Sequence, residues 1–212
     1  QNPEESHIMT PYNKEQSEAI FMVKDHLAAL SESEKDRLKL ECREYLLFRE
    51  DVGGFLDENF SSICTKKCYD NRLSACCSKE GIITFFSDVV INILYSEEHE
   101  IIKLLEAVEN GNRGFKCVYL SESGCLWRIK PIVCEMFLCD QSQSEVFDDK
   151  TFAREKWEHF RKLEKKFKWP DRPVLFDYLE SYFIKAGFKS SLMYFHNSPG
   201  LMRIKKLAGL EI

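Results

Sequence analysis

The chain has 212 residues, 44% of them hydrophobic, enough to bury a sizeable core as one compact domain without disulfides. Its net charge of -5 argues against a broad electrostatic footprint for nucleic acid or anionic lipid. No apolar run approaches the roughly 18 residues needed to cross a bilayer, and the polar residues 1–15 lack the hydrophobic segment of an export signal, so the expected protein is cytoplasmic with no membrane partner.

Residues 1–12 read as a flexible arm. Asn13 with Gln16 resembles a capping box, and Ile20, Phe21, Val23, Leu27 and Leu30 recur at helical spacing, which predicts a helix over about 14–30. A second helix starts at Ser31 with Glu34 and carries Leu38, Cys42, Tyr45 and Leu46 on one face; Gly53-Gly54 is expected to interrupt it before a short turn through Leu56 and Phe60. The β-branched and aromatic run Ile82 to Phe86 suggests a short strand, and Ser87-Asp88 a cap for a buried helix through Val90, Ile93 and Leu94. Ser96 caps the next helix and Gly111 ends it. From Lys116 to Asp140 there is no helical period until about Ile132, so this stretch reads as irregular loop. Asp148 or Asp149 caps a helix striped by Ala153, Trp157, Phe160, Leu163 and Phe167 and ended by Pro170; Pro173 opens another that stops at Gly187, and Ser198-Pro199 starts a third. The resulting fold class is mainly α: N-terminal helices over 13–60, a cysteine-bearing metal-binding core over 61–140, and C-terminal helices over 141–212 packed on it, with at most a few short β-strands.

Eight of the nine cysteines lie between Cys64 and Cys139. They form two blocks, Cys64-x3-Cys68-x7-Cys76-Cys77 and Cys117-x7-Cys125-x8-Cys134-x4-Cys139. In a reducing compartment such clustering points to metal rather than disulfides, and an odd total fits poorly with full pairing. Four thiolates complete a tetrahedral zinc site or hold one cubic iron–sulfur cluster, so eight allow one or two centres. If 64–68 is helical, Cys64 and Cys68 share a face; adjacent Cys76 and Cys77 diverge and serve two neighbouring centres, or one centre and the core, more easily than they chelate one ion. Cys42 sits in an apolar stripe and reads as a core thiol. The cations Lys66, Lys67, Lys79, Lys116, Arg128 and Lys130 could offset thiolate charge, although each reads first as solvated; Phe115, Tyr119, Trp127 and Phe137 are either an apolar shell or ordinary core. With neither the C-x2-C zinc knuckle nor ferredoxin spacing present, iron–sulfur is preferred narrowly over Zn2+. His7, His26, His99, His159 and His196 are scattered outside the blocks, and the GNRG run at Gly111 to Gly114 lacks dinucleotide-loop spacing. Asp88 and Glu135 are candidate proton carriers, better read as a helix cap and a solvated residue.

These residues resemble the bacterial cysteine-cluster proteins described as zinc- or iron-chelating domains of the CxxCxxCC type. The resemblance rests on Cys64, Cys68 and Cys76-Cys77, the segment Gly81 to Asp88, Cys117, and Gly124-Cys125-Leu126-Trp127 leading to Lys130-Pro131 and Cys134. It departs from the family pattern in the wider x3 and x7 spacing of the first cysteines and in Lys130, where an arginine is usual. The family includes flagellin lysine N-methylases, and the similarity to these is confined to the cysteine motif. The resemblance implies iron–sulfur chemistry and leaves methylation as an expectation. Three functions follow: a metalloprotein with redox or group-transfer chemistry, a non-enzymatic module in which zinc fixes the core and the C-terminal helices recruit a partner, and an extracellular disulfide protein. Whether the partner is a protein or a small molecule stays open.

Overall fold

The computed structural model describes residues 9–70, 77, 83–111, 117–168 and 174–210, except for the side chains of Thr65, Lys67, Cys68 and Tyr69. Within them the chain is mainly α-helical. The helices are α1 (Pro11–Ala29), α2 (Glu32–Ser61), α3 (Phe86–Tyr95), α4 (Glu98–Asn110), α5 (Ile132–Glu135), α6 (Asp140–Phe147), α7 (Thr151–Lys168), α8 (Leu175–Lys185) and α9 (Pro199–Leu207), with a π-helical segment at Ser62–Tyr69 and a 3-10 turn at Ser191–Tyr194. Two short strands, β1 (Leu120–Ser121) and β2 (Gly124–Cys125), pair antiparallel. No helix of the described residues is long and apolar enough to cross a membrane. One hydrophobic cluster runs from Ala19 to Leu210 and takes residues from every helix.

The first helix begins earlier than its spacing suggests. Thr10 caps α1, its hydroxyl accepting the Asn13 N–H at 3.1 Å, and Pro11 occupies the first turn, where its missing N–H costs nothing. Asn13 and Gln16 do not cap; both are buried and bond outward to other elements. The Asn13 amide donates to the Val108 carbonyl of α4 at 3.0 Å, and Gln16 accepts the Tyr119 hydroxyl at 3.2 Å.

The predicted break at Gly53-Gly54 is absent, and α2 runs unbroken for 30 residues. Each helical glycine costs about 1 kcal/mol relative to alanine. Against that stands an aromatic seam on both sides of the pair: Phe48 meets Phe167 of α7 at 5.2 Å between ring centroids, Phe55 stacks on Trp157 at 6.0 Å, and Phe60 meets Phe147 of α6 at 5.5 Å. Such contacts add about 0.5–1.5 kcal/mol each beyond area burial, so tertiary packing outweighs local propensity. Ser31 caps α2 through the full capping box with Glu34 that the sequence predicts.

No strand forms over residues 83–85, and Ile82 lies outside the described residues. Phe86 starts α3, and Asp88 closes its first turn by accepting the Phe85 N–H at 3.1 Å. Glu97, rather than Ser96, is the cap of α4, its N–H donating to Glu100 at 2.8 Å. Gly111 ends that helix at a φ of 61°. The region read as loop contains the β1–β2 hairpin, α5 beginning at Ile132, and α6 following at once. Lys150 receives the first backbone bonds of α7, so neither Asp148 nor Asp149 caps it. Pro170 and Pro173 lie outside the described residues, while Gly187 and Ser198-Pro199 fall where their helices end and begin.

Candidate metal centre

The second cysteine block hangs from two helices. Its segment Arg128 to Pro131 is irregular, with bends at Arg128 and Ile129, and buried polar groups take up its backbone. Asn92 of α3 accepts the Ile129 N–H at 2.9 Å, and Asp88 accepts the Ile132 N–H at 3.1 Å, so one aspartate serves the starts of both α3 and α5. From α2, the Arg49 guanidinium donates to the Lys130 carbonyl at 2.6 Å, to the Tyr45 hydroxyl at 2.5 Å and to the Glu135 carboxylate. The Arg49–Glu135 side chains are only 5% and 12% exposed, which contradicts the solvated reading of Glu135. Burial pushes the Asp88 carboxyl up to about 6, with the Arg49 charge holding it down in part.

On this platform the hairpin presents its cysteines. Gly124 has a φ of 112°, a left-handed value that side chains rarely adopt, and it makes the tight return after Glu122-Ser123 possible. Leu120 pairs with Cys125 across the ribbon. The Leu120 N–H donates to the Cys117 carbonyl at 3.1 Å. The N–H groups of Tyr119 and Leu120 near the Cys117 sulfur, and that of Trp127 near the Cys125 sulfur, partly offset the rise that burial gives each thiol, as N–H dipoles do beside thiolate ligands. Burial pushes the Cys117 thiol up to about 11, the two sulfurs being close enough for Cys125 to add to that rise. Burial also raises Cys125, and nearby Lys130 pulls it back.

Cys134 completes a group around Tyr12. The Tyr12 phenol is raised mainly by burial and further by Cys117 and Cys134. The first block touches the second through its backbone, because the Cys117 N–H donates to the Cys77 carbonyl at 2.9 Å. Cys64 is exposed on the π-helical segment, four residues before Cys68, whose side chain lies outside the described residues, as does Cys76. Wider π-helical turns are found often at functional sites. Cys139 is half-buried at the start of α6. Cys42 is fully buried in the core, as its stripe predicts, and burial pushes its thiol up to about 12.

Of the aromatic shell, Tyr119 and Trp127 pack edge to face at 5.2 Å and are buried, whereas Phe137 is 50% exposed and Phe115 lies outside the described residues. Of the cations, Lys130 approaches Cys125, Arg128 instead meets Glu100 at 3.0 Å, and Lys79 and Lys116 lie outside the described residues.

A second buried charge cluster went unread in the sequence. Lys205 is fully buried and donates to the carbonyls of Met193 and His196; it meets Glu180 at 3.0 Å. His196 Nδ1 stands 3.4 Å from Asp177, and its Nε2 donates to the Lys168 carbonyl at 2.7 Å. Burial raises Glu180 to about 8 and lowers His196. The signal was present: Lys205 follows Leu201 by four residues and so falls on the apolar face of α9.

The donor chemistry at the hairpin fits a thiolate-held metal. Tyr12 Oη and Thr84 Oγ1 are buried side by side, and Trp127 Nε1 is buried without a hydrogen-bond partner among the described residues. An unsatisfied buried donor costs about 1–3 kcal/mol, which an anionic thiolate–metal group nearby would relieve. Among the described residues no three His, Cys, Asp or Glu side chains stand together closely enough to hold an ion. Comparison with protein-family models, curated proteins and solved structures finds no match for the chain.

Proposed function

We propose that the protein is a cysteine-thiolate metalloprotein that holds an iron–sulfur cluster, with Zn2+ as the second choice of metal, in one or two centres. The ligands assigned are Cys117, Cys125 and Cys134 of the second block with Cys139, and Cys64, Cys68, Cys76 and Cys77 of the first. The observation that carries the reading is the hairpin, where buried Cys117 and exposed Cys125 stand close to each other, with N–H groups of Tyr119, Leu120 and Trp127 beside their sulfurs. When bound, such a group supplies electron transfer or Lewis acidity.

The chain's own residues have distinct tasks. Arg49, Asp88 and Asn92 fix the turn into Cys134. Tyr119 and Trp127, both buried, anchor the hairpin in the core. Redox or group-transfer chemistry, protein methylation included, and cytoplasmic location are expectations carried over from the cysteine pattern. The runner-up is a structural-zinc interaction module. Iron, zinc and acid-labile sulfide analysis of anaerobically purified full chain, read beside the visible spectrum, tests the proposal. Iron with sulfide and broad absorption near about 400 nm is expected; colourless protein carrying stoichiometric zinc supports the interaction module, and metal-free protein overturns both.

A further inference from the structure

A groove of about 560 Å³ separates the segment between Cys134 and Cys139 from the second half of α7. Its floor is apolar, made by Val133, Met136 and the half-exposed ring of Phe137. Its wall is cationic: Arg161, Lys162 and Lys165 share one face of α7 at i, i+1 and i+4, and all three are exposed. Lys168 also lines the groove, but Glu164 neutralises it at 2.5 Å. The one remaining carboxylate, Glu158, lies at the far end of the row. The chain as a whole is acidic, at -5, so this local positive surface runs against the average charge.

We infer that this groove docks an acidic peptide segment of a partner protein, carrying two or three carboxylates beside one large apolar side chain. The chemistry distinguishes this occupant from a compact phosphate ligand. A phosphate site uses backbone N–H groups or a helix N-terminus, and this groove lies along the second half of α7, away from its N-terminus. Its cations are long, exposed and spread over about 6 Å of helix rise, which suits carboxylates distributed along a peptide face. Phe137, half-exposed on the apolar floor opposite the charged wall, provides the apolar contact that fixes register. Exposed charges of this kind govern approach rate and salt dependence more than final affinity. The inference stands without the metal reading, since none of the residues in it is an assigned ligand.

The test is fluorescence anisotropy on the full chain with two fluorescein-labelled 15-residue helical peptides. One places glutamates at i, i+3 and i+7 beside a tryptophan, and the other has glutamine at each of those positions. The glutamate peptide is expected to bind about tenfold more tightly than the glutamine peptide at low salt, and to lose most of that margin near about 300 mM salt. The double variant Arg161→Glu/Lys165→Glu should abolish the margin. Phe137→Ser should weaken the glutamate peptide about three- to tenfold at both salt concentrations. All three positions are exposed, and a melting curve checks that each variant is folded. Equal binding of the two peptides, unchanged binding by the variants, or tighter binding of ATP or a single-stranded oligonucleotide than of the glutamate peptide would overturn the inference.

Discussion

Two buried charge clusters among the described residues use charge differently. Around Arg49, the guanidinium spends its donors on a hydroxyl, a carbonyl and a carboxylate, and Asp88 beside it accepts two backbone N–H groups from different elements. Around Lys205, the ammonium goes mainly to backbone carbonyls, and buried oxygens of Asp177 and Glu180 and the Nδ1 of His196 are left without hydrogen bonds among the described residues. The first cluster holds the turn that delivers Cys134, so its geometry reaches the candidate centre. The second ties α9 to α8 and to the turn through Met193 and His196, with His196 reaching the end of α7, and serves packing. Both clusters reach backbone from several elements; the first fixes a loop that carries a cysteine, whereas the second fixes the junction of the C-terminal helices.

This contrast can be broken by single substitutions. Arg49→Met leaves Glu135 buried without its partner and releases the Lys130 carbonyl, and should cost about 3–5 kcal/mol in urea unfolding. Lys205→Met should cost less, about 1–3 kcal/mol near neutral pH, because burial already raises Glu180 to about 8 and favours its neutral form. A larger loss for Lys205→Met would invert the comparison.

Asp88 gives a pH signature. Its folded pKa lies above the ordinary 3.8, at about 6, so the folded state binds the proton more tightly than the unfolded chain. This contribution is fully present below about pH 4 and is lost as pH rises through about 6, a difference of about 2–3 kcal/mol at most. Stability measured across that window should show the slope in the native chain and a flatter one in Asp88→Asn. Gly124→Ala meets no neighbouring atom, yet places a side chain at a φ of 112°, so a strain cost of about 1–2 kcal/mol is expected as a lowered melting temperature. Smallest in consequence for the site, Cys42→Ala should destabilise the core slightly and leave metal content unchanged, whereas Cys117→Ala should reduce it.

Periodicity made most helices legible, because Ile20, Val23 and Leu27 of α1 and Ala153, Trp157, Phe160 and Phe167 of α7, which recur at helical spacing, become buried, whereas Phe21 stays 41% exposed. Cys42 could be set aside from its stripe alone. The errors came where distant contacts overrode local preference. Gly53-Gly54 looks like a break until Trp157 and Phe167 are laid against the same helix, and Glu135 looks solvated until Arg49 arrives from 86 residues away. The closeness of Cys117 and Cys125 was equally hidden, since it depends on the fold of the hairpin rather than on the identities of Tyr119 and Leu120. Lys205 was a missed signal of another kind, a lysine written on an apolar face.

The central claim is that thiolates of the two cysteine blocks hold a metal group, and X-ray absorption at the edge of the bound metal in anaerobically purified full chain tests it most directly. The account predicts a first shell made of sulfur alone at about 2.3 Å, with a second metal scatterer for an iron–sulfur cluster. A first shell dominated by nitrogen or oxygen, or a chain that retains no metal, would contradict it.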